Sequence, residues 1–73
     1  RRGRGQLVTR PAVLKPFRGD VTARYVARRH RRGRLVIPWT VDDPKEALAL
    51  VHMGVNGIIS NCPDRIQEAL VRA

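Results

Sequence analysis

From Asp20 onward the chain alternates between helical and strand-like spacing of its apolar positions. Thr22, Val26 and His30 recur at i, i+4, i+8 with Ala23 and Ala27 beside them, while Arg24, Arg28 and Arg31 fall elsewhere around the cylinder. Asp20 or Thr22 can cap the start, and Gly33 sits where a left-handed residue ends a helix. Arg29, Arg31 and Arg32 fall in the last turn, where the helix dipole favours cations. Leu35-Val36-Ile37, continuing to Trp39-Thr40-Val41, is a near-continuous apolar run rich in β-branched residues. Such a run suits a strand covered on both faces. Asp42-Asp43-Pro44 then offers an acidic cap and a proline at the first helical position. Ala47, Leu48, Leu50 and Val51 make an apolar face, and Gly54 closes this second helix. Gly57-Ile58-Ile59-Ser60 predicts another short buried strand. Asn61-Cys62-Pro63-Asp64 turns the chain into a final helix with Ile66, Ala69 and Leu70 on one side.

The order is helix, strand, helix, strand, helix, which is an α/β pattern. Short turns and alternation imply parallel strands joined by a right-handed crossover. Residues 35–40 and 57–60 are expected to lie side by side, joined by a helix over about 44–53. Two such strands leave both sheet edges open, so a neighbour is required. That neighbour is either the Ala12–Leu14 segment or another chain. Residues 1–19, rich in Gly, Pro and basic side chains, form a lead-in to the helical and strand segment of 20–73. Ala12–Leu14 is its candidate for a short strand, and its first few residues are expected to lack fixed structure.

Length and charge narrow the function classes. A chain of 73 residues holds one small domain with a marginal core, and it has one Trp, one Tyr and one Phe to fill it. No apolar run approaches the length of a membrane span, and Arg1-Arg2-Gly3-Arg4-Gly5 has no secretory apolar stretch behind it. The missing initiator Met is expected of a processed chain or of a piece of something longer. Cys62 is the single cysteine, which excludes an internal disulfide and a Cys-rich metal site. Residues 1–34 carry a net +11 and residues 35–73 a net −2. The basic half attracts polyanions, whether nucleic acid, anionic lipid head groups or phosphorylated substrates. It is equally what a solvated arginine-rich surface looks like.

Two motifs resemble the end of the glycerophosphodiester phosphodiesterase family. The first is Leu35-Val36-Ile37-Pro38-Trp39-Thr40-Val41-Asp42-Asp43-Pro44, where that family reads V-x-V-W-T-V-N-D. The second is Gly54-Val55-Asn56-Gly57-Ile58-Ile59-Ser60-Asn61-Cys62-Pro63-Asp64, where it reads G-V-D-G-I-I-T-D-x-P-D. Thr22 to Gly33 also resembles the helix leading into the first motif, so the resemblance covers roughly residues 20–70. It implies the last two strand–helix units of a TIM (βα)8 barrel, roughly the final quarter of a fold of about 250 residues. It also implies hydrolysis of glycerophosphodiesters to glycerol 3-phosphate and an alcohol, with Mg²⁺ or Ca²⁺ in the complete parent. The family's catalytic histidines and metal-binding carboxylates lie on earlier strands, and none of those motifs is here. The chain alone is therefore expected to be inactive. Only Trp39 maps to the mouth of the active site, where it is either a wall of the substrate pocket, the favoured reading, or the large filler of the barrel's end; Leu35 and Ile37 share its face of the strand. Pro38 removes an N–H that a central strand would use, so the strand is expected to bulge or to pack differently from the family. Asp42 replaces the usual Asn, Ser60 the usual Thr and Asn61 the usual Asp, and the last change puts in doubt an electrostatic role for that loop.

The remaining chemistry has plainer explanations. His30 and His52 fall on helices outside such a barrel, away from the strand ends where barrel catalysis occurs. Cys62 has no base placed near it in sequence and reads as a small buried residue. Asp42 and Asp43 stand before Pro44, where helix capping explains them better than metal binding. Another class is a small basic nucleic-acid-binding module resting on Arg24, Arg28, Arg29, Arg31, Arg32 and Arg34. With no aromatic interleaving, paired recognition helix or zinc site, nucleic acid is an unlikely partner. A third class is a non-catalytic fragment that assembles with copies of itself to complete a barrel-like sheet.

Overall fold

The computed structural model describes residues 12–72. Its elements are β1 (Val13–Leu14), a 3₁₀ turn (Arg18–Asp20), α1 (Ala23–Arg31), β2 (Leu35–Val36), α2 (Pro44–His52) and α3 (Pro63–Arg72). β1 and β2 are parallel, with Val13 opposite Leu35 and Leu14 opposite Val36. The pairing runs on past both strands. Ile37 N–H donates to Leu14 C=O at 2.9 Å, Trp39 N–H to Pro16 C=O at 3.1 Å, and Arg18 N–H to Trp39 C=O at 2.9 Å. The Ala12–Leu14 segment thus occupies one edge of the sheet.

Residues 56–60 lie along the other edge, also parallel, but not as the regular strand that their composition predicts. Asn56 N–H donates to Val36 C=O at 2.8 Å, Ile59 N–H to Pro38 C=O at 3.0 Å, and Val41 N–H to Ile59 C=O at 2.9 Å. Regular parallel pairing would return a bond from the N–H of residue 38 to Asn56 C=O, and proline has no such donor. Between Asn56 and Ile59 this segment carries one more residue than β2 does between Val36 and Pro38, and β2 recovers it before Val41. The expected disruption at Pro38 is therefore a pair of offsetting bulges. It confines regular β2 to Leu35–Val36, shorter than the 35–40 expected.

Helix boundaries follow side-chain chemistry. Of the two candidate caps for α1, Thr22 is used: its Oγ1 accepts from Tyr25 N–H at 3.0 Å. Gly33 ends α1 at φ 73°, with its N–H on His30 C=O and Arg34 N–H on Arg29 C=O, so the last carbonyls are satisfied. Asp43 caps α2 through Lys45 N–H at 3.1 Å, Pro44 opens the helix and Gly54 closes it at φ 96°.

The core is small and aliphatic: Val21, Val26, Val36, Val41, Ala47, Leu50 and Ile66, with Tyr25, Met53, Val55, Ile58, Cys62 and Leu70 packed against it. Val36 and Pro38 are fully buried on the helix side of the sheet, where α1 packs on β2 and α2 on α3. Of the α1 positions at i, i+4, i+8 only Val26 is buried, because the short sheet covers little more than one turn. On the opposite face Val13, Phe17, Trp39 and Ile59 are exposed and Leu35 and Ile37 half-buried. One face of the sheet is thus covered by helices, while the other is apolar and open.

Candidate functional site

Trp39 stands just beyond the ends of β1 and β2, bridged across the sheet to Phe17. Its indole N–H donates to Lys15 C=O at 2.7 Å, which fixes the ring against the neighbouring strand. Phe17 meets it edge to face, with centroids 5.6 Å apart at 72°. The Arg18 guanidinium lies 4.9 Å above the Phe17 ring, and its Nε is 3.0 Å from Glu46 Oε1 in the first turn of α2. Both partners of that ion pair are about a third exposed, so its contribution is about 0–1 kcal/mol. Trp39 itself is 44% exposed, which leaves a face of the ring free for contact with another group. Two aromatic rings, one guanidinium and one carboxylate thus share one end of the sheet.

Asp42 occupies the same end. Its Oδ1 accepts the Ser60 hydroxyl at 2.9 Å and Asn61 N–H at 2.8 Å, and its Oδ2 accepts the Asn61 side-chain amide at 3.2 Å. Ser60 Oγ in turn accepts Cys62 N–H at 3.0 Å. The Asn61 N–H, followed by the Ser60 hydroxyl, holds the Asp42 carboxyl below its ordinary value. Asp42 and Asn61, two departures from the family pattern, therefore face each other. The family's Asn and Asp appear here as Asp and Asn, so one carboxylate and one amide are kept with their positions exchanged. Asp42 places a carboxylate on the loop facing Asn61.

This donor set does not suit a divalent cation. Both Asp42 oxygens are engaged by donors, and Asp43 spends an oxygen on the α2 cap. Among the described residues no three His, Cys, Asp or Glu side chains converge. Hard cations take six or more oxygens, and nothing here approaches that number. The histidines lie elsewhere. His30 Nε2 is 2.8 Å from Asn56 Oδ1, and His52 is exposed at the end of α2. Cys62 is half-buried beside Asp42, its sulfur 3.8 Å from Oδ1.

Asn56 went unread in the sequence. Its Oδ1 accepts Val36 N–H at 2.8 Å as well as meeting His30, doing in part what a backbone carbonyl would do in a regular ladder. The signal was the conjunction of Pro38 with an amide in the facing segment. Phe17 and Arg18 were missed because sequence spacing says nothing of which strand ends meet.

The chain matches the model of the glycerophosphoryl diester phosphodiesterase family over residues 5–65. No curated protein matches it significantly. Among solved structures it is similar to a protein assigned as a glycerophosphoryl diester phosphodiesterase from Silicibacter pomeroyi DSS-3, with 35% identity and a TM-score of 0.79 over 82% of this chain and 20% of that one. It is also similar to an Oleispira antarctica phosphodiesterase solved with its product sn-glycerol-3-phosphate, with 27% identity and a TM-score of 0.79 over 82% of this chain and 24% of that one. The chain thus spans a fifth to a quarter of the length of these solved relatives. Parallel strands, covering helices and the family match over most of its length agree: this chain belongs to the glycerophosphoryl diester phosphodiesterase family.

Proposed function

We propose that this chain is the C-terminal segment of a metal-dependent glycerophosphodiester phosphodiesterase barrel, supplying a wall of the substrate pocket and none of the catalytic groups. The observation that carries this reading is the open apolar face ending in Trp39. On that reading Leu35, Ile37, Trp39 and Phe17 point into the barrel, and Trp39 stands at the C-terminal strand ends where barrel enzymes work. The Mg²⁺ or Ca²⁺ of the complete enzyme would be held by residues outside this chain, since Asp42 and Asp43 are committed to loop and cap. The N–H groups of Gly57, Ile58 and Ser60, which have no protein partner among the described residues, mark the edge where the rest of the barrel would pair.

Two measurements test this. Steady-state assay of the 73-residue chain with glycerophosphocholine and Mg²⁺ or Ca²⁺ is expected to stay at the buffer blank. Turnover above the blank would show that the catalytic set is here after all. In a complete barrel carrying this segment, Trp39→Ala is expected to lower kcat/KM about tenfold, the loss of roughly 1.4 kcal/mol of substrate contact. An unchanged kcat/KM with a lowered Tm would make Trp39 a filler of the barrel end.

A further inference from the structure

At the opposite end of the sheet from Trp39, five arginines line one groove: Arg28, Arg29, Arg31, Arg32 and Arg34. They come from the last turns of α1 and the short turn into β2. Residues 34 to 41 separate this groove from the Asp42 loop by roughly 20 Å of extended chain, so it is not part of the site described above. Among the described residues none of the five makes an ion pair; the two ion pairs present are Arg18–Glu46 and Arg72–Glu68. The Arg29 guanidinium is stacked 4.7 Å from the Tyr25 ring, which restrains it without neutralising it.

A helix C-terminus ordinarily repels anions through its exposed carbonyls. Here those carbonyls are answered by Arg32, Gly33 and Arg34 N–H groups, so the arginine charge dominates locally. Guanidinium is planar and pairs with phosphate oxygens two at a time, a geometry that lysine does not offer. A concave site walled by several guanidiniums suits a compact, multiply charged phosphate group. A nucleic-acid track would want free aromatic faces for stacking, and the nearby Tyr25 ring is already covered by Arg29.

We propose that this groove is a binding site for a dianionic phosphate group, presented either by a soluble polyphosphate or by a lipid phosphomonoester head group. The probes are pyrophosphate, followed by titration calorimetry, and phosphatidylcholine vesicles with or without 10% phosphatidate, followed by co-sedimentation, at ~150 mM salt. Arg31→Gln/Arg32→Gln is expected to weaken binding at least tenfold. Arg31→Lys/Arg32→Lys keeps the charge and is expected to weaken it severalfold. Circular dichroism of both variants checks that α1 is retained. Saturable pyrophosphate binding identifies a soluble source, and binding to phosphatidate vesicles alone identifies a lipid head group. The proposal is overturned if neither probe binds, if the glutamine variant binds as well as the parent chain, or if the lysine variant matches it. Duplex DNA binding tighter than either probe would overturn it in favour of a nucleic-acid surface.

Discussion

Asp42 and Asn61 are each unremarkable in sequence and matter only as a pair. One carboxylate joins two loops through three hydrogen bonds, two of them from Asn61. Asp42→Asn removes the charge and turns one acceptor oxygen into a donor facing the Asn61 amide. Asn61→Asp instead sets two carboxylates against each other. Each single change is expected to lower Tm at pH 7, and Asp42→Asn/Asn61→Asp to recover most of the loss. Additive losses in the double variant would refute the exchange. The same group sets an acid dependence. Because its folded pKa is depressed, Asp42 contributes stability that is present above its unfolded pKa of about 3.8 and lost as pH falls through the lower folded value. Thermal melts from pH 7 downward are expected to show that loss in the parent chain and a flatter acid limb in Asp42→Asn.

At the scale of elements, the helix ends and the order of pairing were legible and the regularity of the strands was not. Thr22, Asp43, Pro44, Gly33 and Gly54 mark helix ends because capping and left-handed turns depend on the residue standing there. Strand regularity depends on a partner's donors, which no local window contains. Pro38 announced a missing N–H, yet the repair by two bulges and the Asn56 side chain depended on how residues 56–60 approach β2. Asn56→Ala is therefore expected to cost about 1–3 kcal/mol, since it strands a partly buried Val36 N–H. His30→Ala should cost less, because Asn56 can still accept from Val36. Chemical denaturation of the two variants separates these costs, and equal losses would mean that the His30 contact is what holds Asn56.

For the whole molecule, the family and the parallel α/β arrangement could be read from two motifs because their spacing encodes strand, helix and strand in one order. The mouth of the site could not, since Phe17 and Arg18 reach Trp39 only through the edge strand β1. The expectation that the first few residues lack fixed structure lies outside the described residues.

Charge is distributed along the strands as well as along the sequence. Asp20, Asp42, Asp43, Glu46 and Asp64 all fall at helix starts or the turns before them, on the side of Trp39, whereas the far end carries Arg28 to Arg34. Among the described residues the acids thus gather toward one end of the sheet and the arginine run toward the other, and a negatively charged support is expected to hold the chain by its arginine end. On a sulfonate resin, acetylation of the exposed Lys45 amine in the first turn of α2 is expected to proceed as it does in free solution. Modification of Arg31 and Arg32 by phenylglyoxal is expected to be suppressed. Equal suppression at both ends would mean random adsorption, with the polarity too weak to orient the chain.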